Sequence, residues 1–302
     1  MRVFLHGDGI TGRGEASGVY YTGDDTDSIL TQLERVRDHV EAGIDRATLQ
    51  QLLPAGGARN ALDAALWEHE SLQRQKPVWA IAGLGMPKPL TTTFTLSADP
   101  PDAVEEALAT YGSAKAIKLK LDGDLSADGD RLRLVRKRRP DAWLMVDANQ
   151  GYSIDRLDSL IPLLVEARVT ILEQPVQRGQ ESGLEYVKCP IPFAADESLL
   201  GLADLPALVG RFQIANIKLD KCGGLTEAFA MAHLARKLGL RIMVGNMAGS
   251  SLAAAPAFLL GQLCDFVDLD GPTFIAHDLP GGVRYQSGEI FCPEAFWGAS
   301  SH

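Results

Sequence analysis

The chain has 302 residues, of which 46% are hydrophobic and 23% charged, and its formal net charge is −10 at pH 7. These values are ordinary for a globular protein and exclude a disordered, collagen-like or coiled-coil chain. The negative charge argues against a nucleic-acid partner. The densest basic run, 131–139, has the pattern of a helix with a solvated charged face.

No membrane or export signal is evident in the sequence. Charged residues, Gly or Pro interrupt every apolar run before the roughly 20 residues that a membrane span needs. The first seven residues lack the apolar core of a signal peptide. The four cysteines are far apart and form no C-x-x-C pair, as is usual for thiols in a reducing compartment. We predict a cytoplasmic protein without a membrane partner.

The first 90 residues predict an α+β capping domain. Segments 3–5 and 14–16 flank a glycine-rich turn and predict a β-hairpin, and helical patterns follow at about 27–41 and 58–73. The run 7–12 matches G-x-G-x-x-G. No helical period follows it, so a hairpin turn is favoured over a dinucleotide-binding loop.

Residues 91–272 predict a barrel domain, because eight short β-rich runs alternate there with helical stretches. This regular alternation favours a closed, TIM-like (β/α)7β barrel over an open doubly wound sheet. The predicted strands are 91–96, 116–121, 143–147, 170–173, 192–196, 216–219, 241–244 and 266–269. Residues 273–302 are expected to pack back on the capping domain and complete it.

Three acidic residues, Asp147, Glu173 and Asp196, each follow an apolar run on successive predicted strands. They would therefore lie together at the carboxyl-terminal mouth of the barrel, where barrel enzymes carry their chemistry. Such carboxylates repel one another unless a cation is bound, and hard oxygen ligands favour Mg²⁺ over Zn²⁺. The alternative is three unrelated acids that begin loops. We predict one Mg²⁺ per subunit.

Lysines occupy two strands on either side of these acids. Lys118 and Lys120 alternate with apolar residues and should both face the barrel interior. Lys218, on the sixth strand, would lie opposite Lys120 on the second. A nearby cation lowers the pKa of a lysine and makes it a better base. We predict Lys120 and Lys218 as catalytic residues and Lys118 as a substrate-binding residue; structural Lys–Asp bridges are the alternative.

The last predicted strand ends in a second acidic pair, Asp268 and Asp270, which should point to one side. A cationic group of the substrate, such as an ammonium, is their expected partner. The alternative is one bridge to a lysine and one loop acid. Asn149 and Glu197, each within two residues of a predicted metal ligand, are expected to support those ligands.

These motifs, taken in order, resemble the enolase superfamily and, within it, the muconate-lactonising-enzyme subgroup. The acidic pair, together with the run K-L-D-K-C-G-G at 218–224, is similar to the dipeptide epimerases. The resemblance extends into the capping domain through A-R-N-A-L-D-A-A-L-W at 58–67. The motifs that carry it in the barrel are K-x-K at Lys118 and Lys120, V-D-A-N at Asp147, E-Q-P at Glu173, D-E-S at Asp196, and Lys218 before Gly223 and Gly224.

The resemblance implies an isomerase that inverts the α-carbon of the C-terminal residue of a dipeptide. It implies that Mg²⁺ stabilises an enediolate, that one catalytic lysine removes the α-proton while the other returns a proton to the opposite face, and that the acidic pair holds the α-ammonium. It also implies a homo-oligomer. Alternatives in the same superfamily are an N-acylamino acid racemase, an o-succinylbenzoate synthase and a cycloisomerase. A non-catalytic binding protein on the same fold is a remote alternative.

Two departures from the family pattern lead to further expectations. Family members begin with another strand and a mobile loop that closes over the substrate, whereas this chain starts at about the second strand. We therefore expect the first strand and part of the lid to be absent. Arg13 is the candidate in the capping domain for contacting an acidic substrate side chain, the alternative being a surface arginine of the hairpin.

Overall fold

The computed structural model describes residues 1–299. The chain begins with a β-hairpin of strands β1 (Arg2–Gly7) and β2 (Ile10–Glu15), paired antiparallel from Arg2 opposite Glu15 to Gly7 opposite Ile10. Asp8 and Gly9 form its turn in the left-handed region, with φ of 51° and 76°. The G-x-G-x-x-G run is thus confirmed as a hairpin, and it offers no helix N-terminus for a pyrophosphate.

Four helices follow the hairpin, and the central one, α3, lies directly against β2. A Cβ on Gly12 or Gly14 would come within 2.1 or 1.9 Å of the carbonyl oxygens of Ala65 and Ala61 on α3. Glycine at these two alternate positions of β2 therefore allows strand and helix to touch through their backbones. The helices are α1 (Thr26–Glu41), α2 (Arg46–Leu52), α3 (Gly57–Arg74) and α4 (Val78–Ile81).

The second part of the chain forms an eight-stranded parallel sheet whose spatial order follows the sequence order from β4 to β11. This nearly closed sheet confirms the (β/α)7β fold class. A short strand, β3 (Leu90–Thr91), precedes it. The barrel strands are β4 (Thr93–Leu96), β5 (Ala116–Lys120), β6 (Trp143–Asp147), β7 (Ile171–Glu173), β8 (Phe193–Ala195), β9 (Ile214–Lys218), β10 (Arg241–Gly245) and β11 (Phe266–Asp268).

Helices connect these strands in six of the seven crossovers, and β7 leads to β8 through a 3₁₀ helix, Glu181–Tyr186. The outward-facing side chains of the strands pack against these helices and form the main hydrophobic core. The helices are α5 (Pro101–Thr110), α6 (Leu125–Arg138), α7 (Ile154–Glu166), α8 (Leu205–Leu208), α9 (Leu219–Cys222), α10 (Leu225–Lys237) and α11 (Ser251–Gly261).

The predicted strand 91–96 is two strands in the structure. Leu90 and Thr91 pair with Ile290 and Glu289 in a separate three-stranded sheet, and the barrel begins only at Thr93. The sheet is completed by β12 (Arg284–Gln286) and β13 (Glu289–Phe291). The sequence pattern is continuous across the break, because threonines and apolar residues run without interruption from Leu90 to Leu96.

The barrel closes between β11 and β4 through side chains. Asp268 Oδ1 accepts a hydrogen bond from Thr93 Oγ1 at 2.5 Å, and Asp270 Oδ2 accepts one from the Thr95 backbone N–H at 2.6 Å. The Leu269 N–H donates to Thr92 Oγ1 at 2.8 Å. The acidic pair at the end of β11 therefore lies at the junction between the last and first strands.

Inside the barrel, apolar side chains form a layer that we call the floor. It consists of one buried residue from each of five consecutive strands: Met145, Ile171, Ala194, Ile214 and Met243. Because side chains alternate along a strand, residues two positions further on face the same interior. Asp147, Glu173 and Asp196 occupy those positions, so the barrel geometry directs them into one space above the floor.

The C-terminal segment packs on the hairpin and on α3. Trp297 Nε1 donates to the Arg13 carbonyl oxygen at 3.1 Å, and the Gly298 N–H donates to Glu68 Oε1 at 3.1 Å. No helix within residues 1–299 combines the length and apolarity needed to span a membrane. The division of the chain at residue 91 into capping and barrel domains stays a prediction.

Arg13 lies outside the barrel mouth and holds these segments together. Its guanidinium is 2.6 Å from Glu68 Oε1 and donates to the Phe296 carbonyl oxygen at 2.5 Å. It is thus neither a free surface arginine nor placed to contact a substrate. Truncation would leave the buried Glu68 carboxylate without its ion pair.

We expect Arg13→Met to lower the free energy of unfolding by roughly 2–3 kcal/mol, since it uncouples a buried charge from its partner. Urea denaturation measures this loss, with Arg35→Met as a control on the exposed face of α1. Equal stability of the two variants would contradict the role assigned to Arg13.

Candidate active site

A pocket of about 300 Å³ opens at the carboxyl-terminal mouth of the barrel, above the floor. Every site residue predicted from the sequence lines this pocket, except Arg13 and Glu173. Glu173 is fully buried and contacts the pocket residue Lys118. The structure therefore brings the predicted site residues of the barrel together, while their individual roles stay predictions.

The strand register sets the relative heights of the charged groups. Lys120 pairs with Asp147, and Asp147 pairs with Glu173, so these three residues lie side by side on β5, β6 and β7. On the opposite wall, Lys218 pairs with Gly245 on β10. A Cβ at Gly245 would lie 2.9 Å from Lys218 Cε, so glycine at this position leaves room for the lysine side chain.

Lys118 gathers three carboxylates around its ammonium group. Its Nζ lies 3.0 Å from Asp147 Oδ2, 2.7 Å from Glu173 Oε2 and 2.9 Å from Asp268 Oδ2. Burial alone would lower the pKa of Lys118, but the surrounding carboxylates raise it well above its usual range. These contacts favour the charged form of Lys118.

Asp196 is held by two further lysines. Its Oδ2 is 2.7 Å from Lys218 Nζ, and its Oδ1 is 2.6 Å from Lys221 Nζ. Burial favours a raised pKa for Asp196, but the two ammonium groups outweigh burial and lower it. The same contact raises the pKa of Lys218 against the effect of its own burial. Lys218 must therefore leave Asp196 before it can act as a base.

As arranged here, no group of three or more His, Cys, Asp or Glu side chains within residues 1–299 is spaced to hold a metal ion. The lysine contacts explain this spacing, because ammonium groups lie between the carboxylates. Asp147 and Glu173 nevertheless direct one oxygen each at a common cation, Lys118. Burial, together with the neighbouring charge of Asp147, raises the pKa of Glu173 to about 8.

The segments that follow β6 and β7 are bent sharply. Asn149, Gln150 and Gln174 have φ of 41°, 65° and 37°, in the left-handed region that non-glycine residues seldom adopt. The Asn149 N–H donates to Asp147 Oδ1 at 3.0 Å, so Asn149 supports the metal-ligand candidate through its backbone. Strain of this kind clusters at functional sites, where surrounding contacts maintain it.

Glu197 has an oxygen without a partner. Its side chain is buried, and Oε2 accepts no hydrogen bond from the described residues. Burial, with the neighbouring charge of Asp196, raises its pKa. Tyr21, from the capping domain, presents a hydroxyl in the same condition on the pocket wall. Both groups can form hydrogen bonds to a bound molecule.

The two carboxylates of the acidic pair, Asp268 and Asp270, have different contacts. Asp268 bridges to Lys118 and Thr93, which leaves its oxygens engaged. Asp270 is also buried, and its carboxylate is hydrogen-bonded to Thr95, whose backbone N–H donates to Oδ2 at 2.6 Å. Burial and the charge of Asp268 raise the pKa of Asp270 to about 7. Within residues 1–299, Asp268 forms an ion pair with Lys118, whereas Asp270 forms none.

The capping domain is tied to the pocket rim at several points. Glu15 Oε1 accepts a hydrogen bond from the Ser250 N–H at 2.6 Å, and Ser17 donates to the Ala248 carbonyl oxygen through Oγ. The Ser17 N–H donates to Asp220 Oδ1 at 3.0 Å. These bonds fix the end of the hairpin from which the segment carrying Tyr21 crosses the pocket.

Sequence analysis overlooked Lys221, Asn216 and Tyr21. Asn216 Nδ2 donates to Glu173 Oε1 at 2.5 Å. The same two-residue period that placed Lys118 and Lys120 in the interior would have found Asn216 before Lys218. Lys221 stands in the K-L-D-K-C-G-G run, where a buried lysine beside an acidic cluster is a signal. No local pattern points to Tyr21, because its placement depends on the contact between domains.

Comparison with known proteins agrees with this geometry. A family model described as "Enolase C-terminal domain-like" matches residues 101–295. The chain is 38% identical to the L-Ala-D/L-Glu epimerase of Escherichia coli over 95% of the chain and 90% of that protein. It is 39% identical to an N-acetyl-D-glutamate racemase of a Pseudoalteromonas species over 85% and 81% of the two chains.

Two solved structures share the whole fold. One is an enolase family member from Agrobacterium tumefaciens with homology to dipeptide epimerases, solved with bound sodium and L-Ala-L-Glu. It has a TM-score of 0.92 and 35% sequence identity, and the match covers 98% of this chain and 91% of that chain. The other is the dipeptide epimerase of Methylococcus capsulatus with Mg and L-Arg-D-Lys, at a TM-score of 0.87 and 31% identity, covering 99% and 90%. The chain therefore belongs to the enolase superfamily.

Proposed function

We propose that this protein is a Mg²⁺-dependent dipeptide epimerase that inverts the α-carbon of the C-terminal residue. The observation that carries the proposal is that Lys120 and Lys218 lie on opposite walls of one pocket. Three buried carboxylates lie on the strands between them. An inversion needs an acid and a base on opposite faces of the reacting carbon. The names and bound dipeptides of the relatives support the substrate class.

The proposed metal ligands are Asp147, Glu173 and Asp196. They supply hard oxygen donors, they come from three consecutive strands, and Asp147 and Glu173 already converge on one cation. Mg²⁺, when bound, would neutralise the substrate carboxylate and the charge that develops beside it. Asp196 Oδ2 becomes available to the metal once Lys218 releases it.

The chain's own residues then perform the proton transfers. With Lys218 freed from Asp196 and facing the substrate, one of the two lysines takes the α-proton as a neutral amine. The other, as an ammonium, donates a proton to the opposite face. Lys120 suits either role in proton transfer, because it forms no ion pair with any described residue and is half-buried at the pocket wall. Lys118 keeps its charge and helps to balance the carboxylates.

Deuterium uptake from D₂O, measured by mass spectrometry across a library of L,L-dipeptides, tests this function. We expect uptake at a single α-carbon in a subset of the library with Mg²⁺ present, and none after treatment with EDTA. No uptake from any dipeptide, with Mg²⁺ binding demonstrated, would refute the proposal.

A second candidate is an N-acylamino acid racemase, favoured by the 39% identity to the N-acetyl-D-glutamate racemase. The two functions differ in the α-nitrogen of the substrate, which is charged in a dipeptide and neutral in an N-acetyl amino acid. Asp270 distinguishes them, since a buried carboxylate that forms no ion pair with the described residues favours a cation.

We expect Asp270→Asn to lower kcat/KM for a dipeptide about 10- to 100-fold, because the substrate ammonium would lose a charge-assisted hydrogen bond. The asparagine can still accept from the Thr95 N–H, so barrel closure is retained. An N-acetyl amino acid measured with the same variant is the control. If the wild type prefers the N-acetyl substrate and the variant leaves both rates unchanged, the second candidate is correct.

A further inference from the structure

Lys221 is a buried lysine that does not line the pocket. It lies in α9, directly after β9, and only 4% of its surface is exposed. Its ammonium group donates to Asp196 Oδ1 and to the Asp196 carbonyl oxygen, both at 2.6 Å, and to the Asn216 carbonyl oxygen at 3.2 Å. An ammonium has three N–H donors, so Lys221 has none left for a substrate.

The two lysines on Asp196 hold it differently. Lys218 contacts one carboxylate oxygen, whereas Lys221 contacts the other carboxylate oxygen and the carbonyl oxygen of the same residue. A donor that binds the side chain and the backbone together fixes the orientation of one relative to the other. Lys221 therefore sets the direction in which Asp196 Oδ2 points.

The backbone that carries Lys221 is itself held by the capping domain. Arg59 of α3, which is buried, donates to the carbonyl oxygens of Cys222 at 2.5 Å and Gly223 at 3.2 Å. Asn60 donates to Asp220 on the other side of Lys221 at 3.3 Å. Both neighbours of Lys221 in the chain are thus fixed to one helix, which makes its amine a stable anchor.

We propose that Lys221 is a positioning residue that holds Asp196 throughout the reaction. By occupying Oδ1, it leaves Oδ2 as the oxygen of Asp196 that faces the pocket. Lys218 can act on a substrate only after it leaves Asp196. Lys221 is then the cation that keeps this buried carboxylate paired and aimed at the metal position. This role rests on the proposed function, because it assigns Asp196 to the metal.

Lys221→Met tests the role, with Mn²⁺ as the probe because it accepts the same oxygen ligands and its free concentration is read by electron paramagnetic resonance. We expect the dissociation constant for Mn²⁺ to rise about 10- to 100-fold, as for other residues that orient metal ligands. Lys237→Met, on the exposed end of α10, is the matched control and should bind Mn²⁺ like the wild type. A folded Lys221→Met with wild-type affinity would overturn the proposal.

A crystal structure of the wild-type Mn²⁺ complex gives a second test that needs no variant. We expect the Lys218–Asp196 contact to be broken and both Lys221–Asp196 contacts to remain; release of Asp196 by Lys221 would overturn the proposal. A wild type that binds Mn²⁺ but exchanges no dipeptide proton would refute only the epimerase function. A wild type that binds no Mn²⁺ would refute both proposals.

Discussion

Lys218→Ala should lose dipeptide epimerisation by about 10³-fold or more, as expected when a positioned acid–base group is removed. Lys120 remains on the other wall, so exchange of the α-proton should survive for one epimer only. The measurement is deuterium incorporation from D₂O starting separately from each epimer, with product configuration read by chiral chromatography. Exchange without inversion would assign one face of the substrate to each lysine.

Lys120→Ala should show the mirror-image behaviour, with exchange confined to the other epimer. Lys237→Ala, far from the pocket on α10, should retain the wild-type rate. Interconversion of both epimers by Lys218→Ala at the wild-type rate would rule out the two-lysine mechanism. Loss of all exchange in both single variants would instead indicate that neither lysine works without the other.

Gly224→Ala should lower the free energy of unfolding by roughly 3–5 kcal/mol, from backbone strain and steric overlap together. Gly224 has φ of 117°, and a Cβ there would lie 2.6 Å from Cβ and Oδ2 of Asp63 on α3. Asp63 cannot withdraw freely, because its Oδ2 accepts the Thr226 N–H at 3.0 Å. Urea denaturation followed by circular dichroism measures the loss.

Gly239→Ala is the matched control for this variant. Gly239 also has a left-handed φ, of 77°, but no atom lies within 4 Å of the position its Cβ would take. It should therefore lose only about 1 kcal/mol, the cost of the backbone conformation. Equal losses in the two variants would show that contact with α3 contributes nothing at Gly224.

The barrel and its charged residues could be predicted because they depend on local periods. A two-residue alternation places Lys118 and Lys120 on one side of a strand, and the first acid after an apolar strand lies at the barrel mouth. The same alternation explains why Glu173 is present in the cluster although it is fully buried. These features need no knowledge of distant contacts.

Other features depend on contacts between segments remote in sequence. The break at Thr92 follows from pairing of Leu90 and Thr91 with a strand near residue 290, which no local pattern announces. Arg13 was considered for substrate binding, and only the position of Glu68 on α3 shows that it is a structural ion pair. Lys221 belongs to the same class, since its role depends on where Asp196 lies.

Under the proposed function, the junction between β11 and β4 would couple ligand binding to the hydrogen bonds that close the barrel. The carboxylate of Asp270 accepts the Thr95 N–H, and under the proposed function it is also the group that binds the substrate ammonium. A cation bound to Asp270 would change the strength of the hydrogen bond between its carboxylate and the Thr95 N–H. The rate at which the Thr95 amide proton exchanges with solvent would therefore report whether the site is occupied, although this peptide group takes no part in the chemistry.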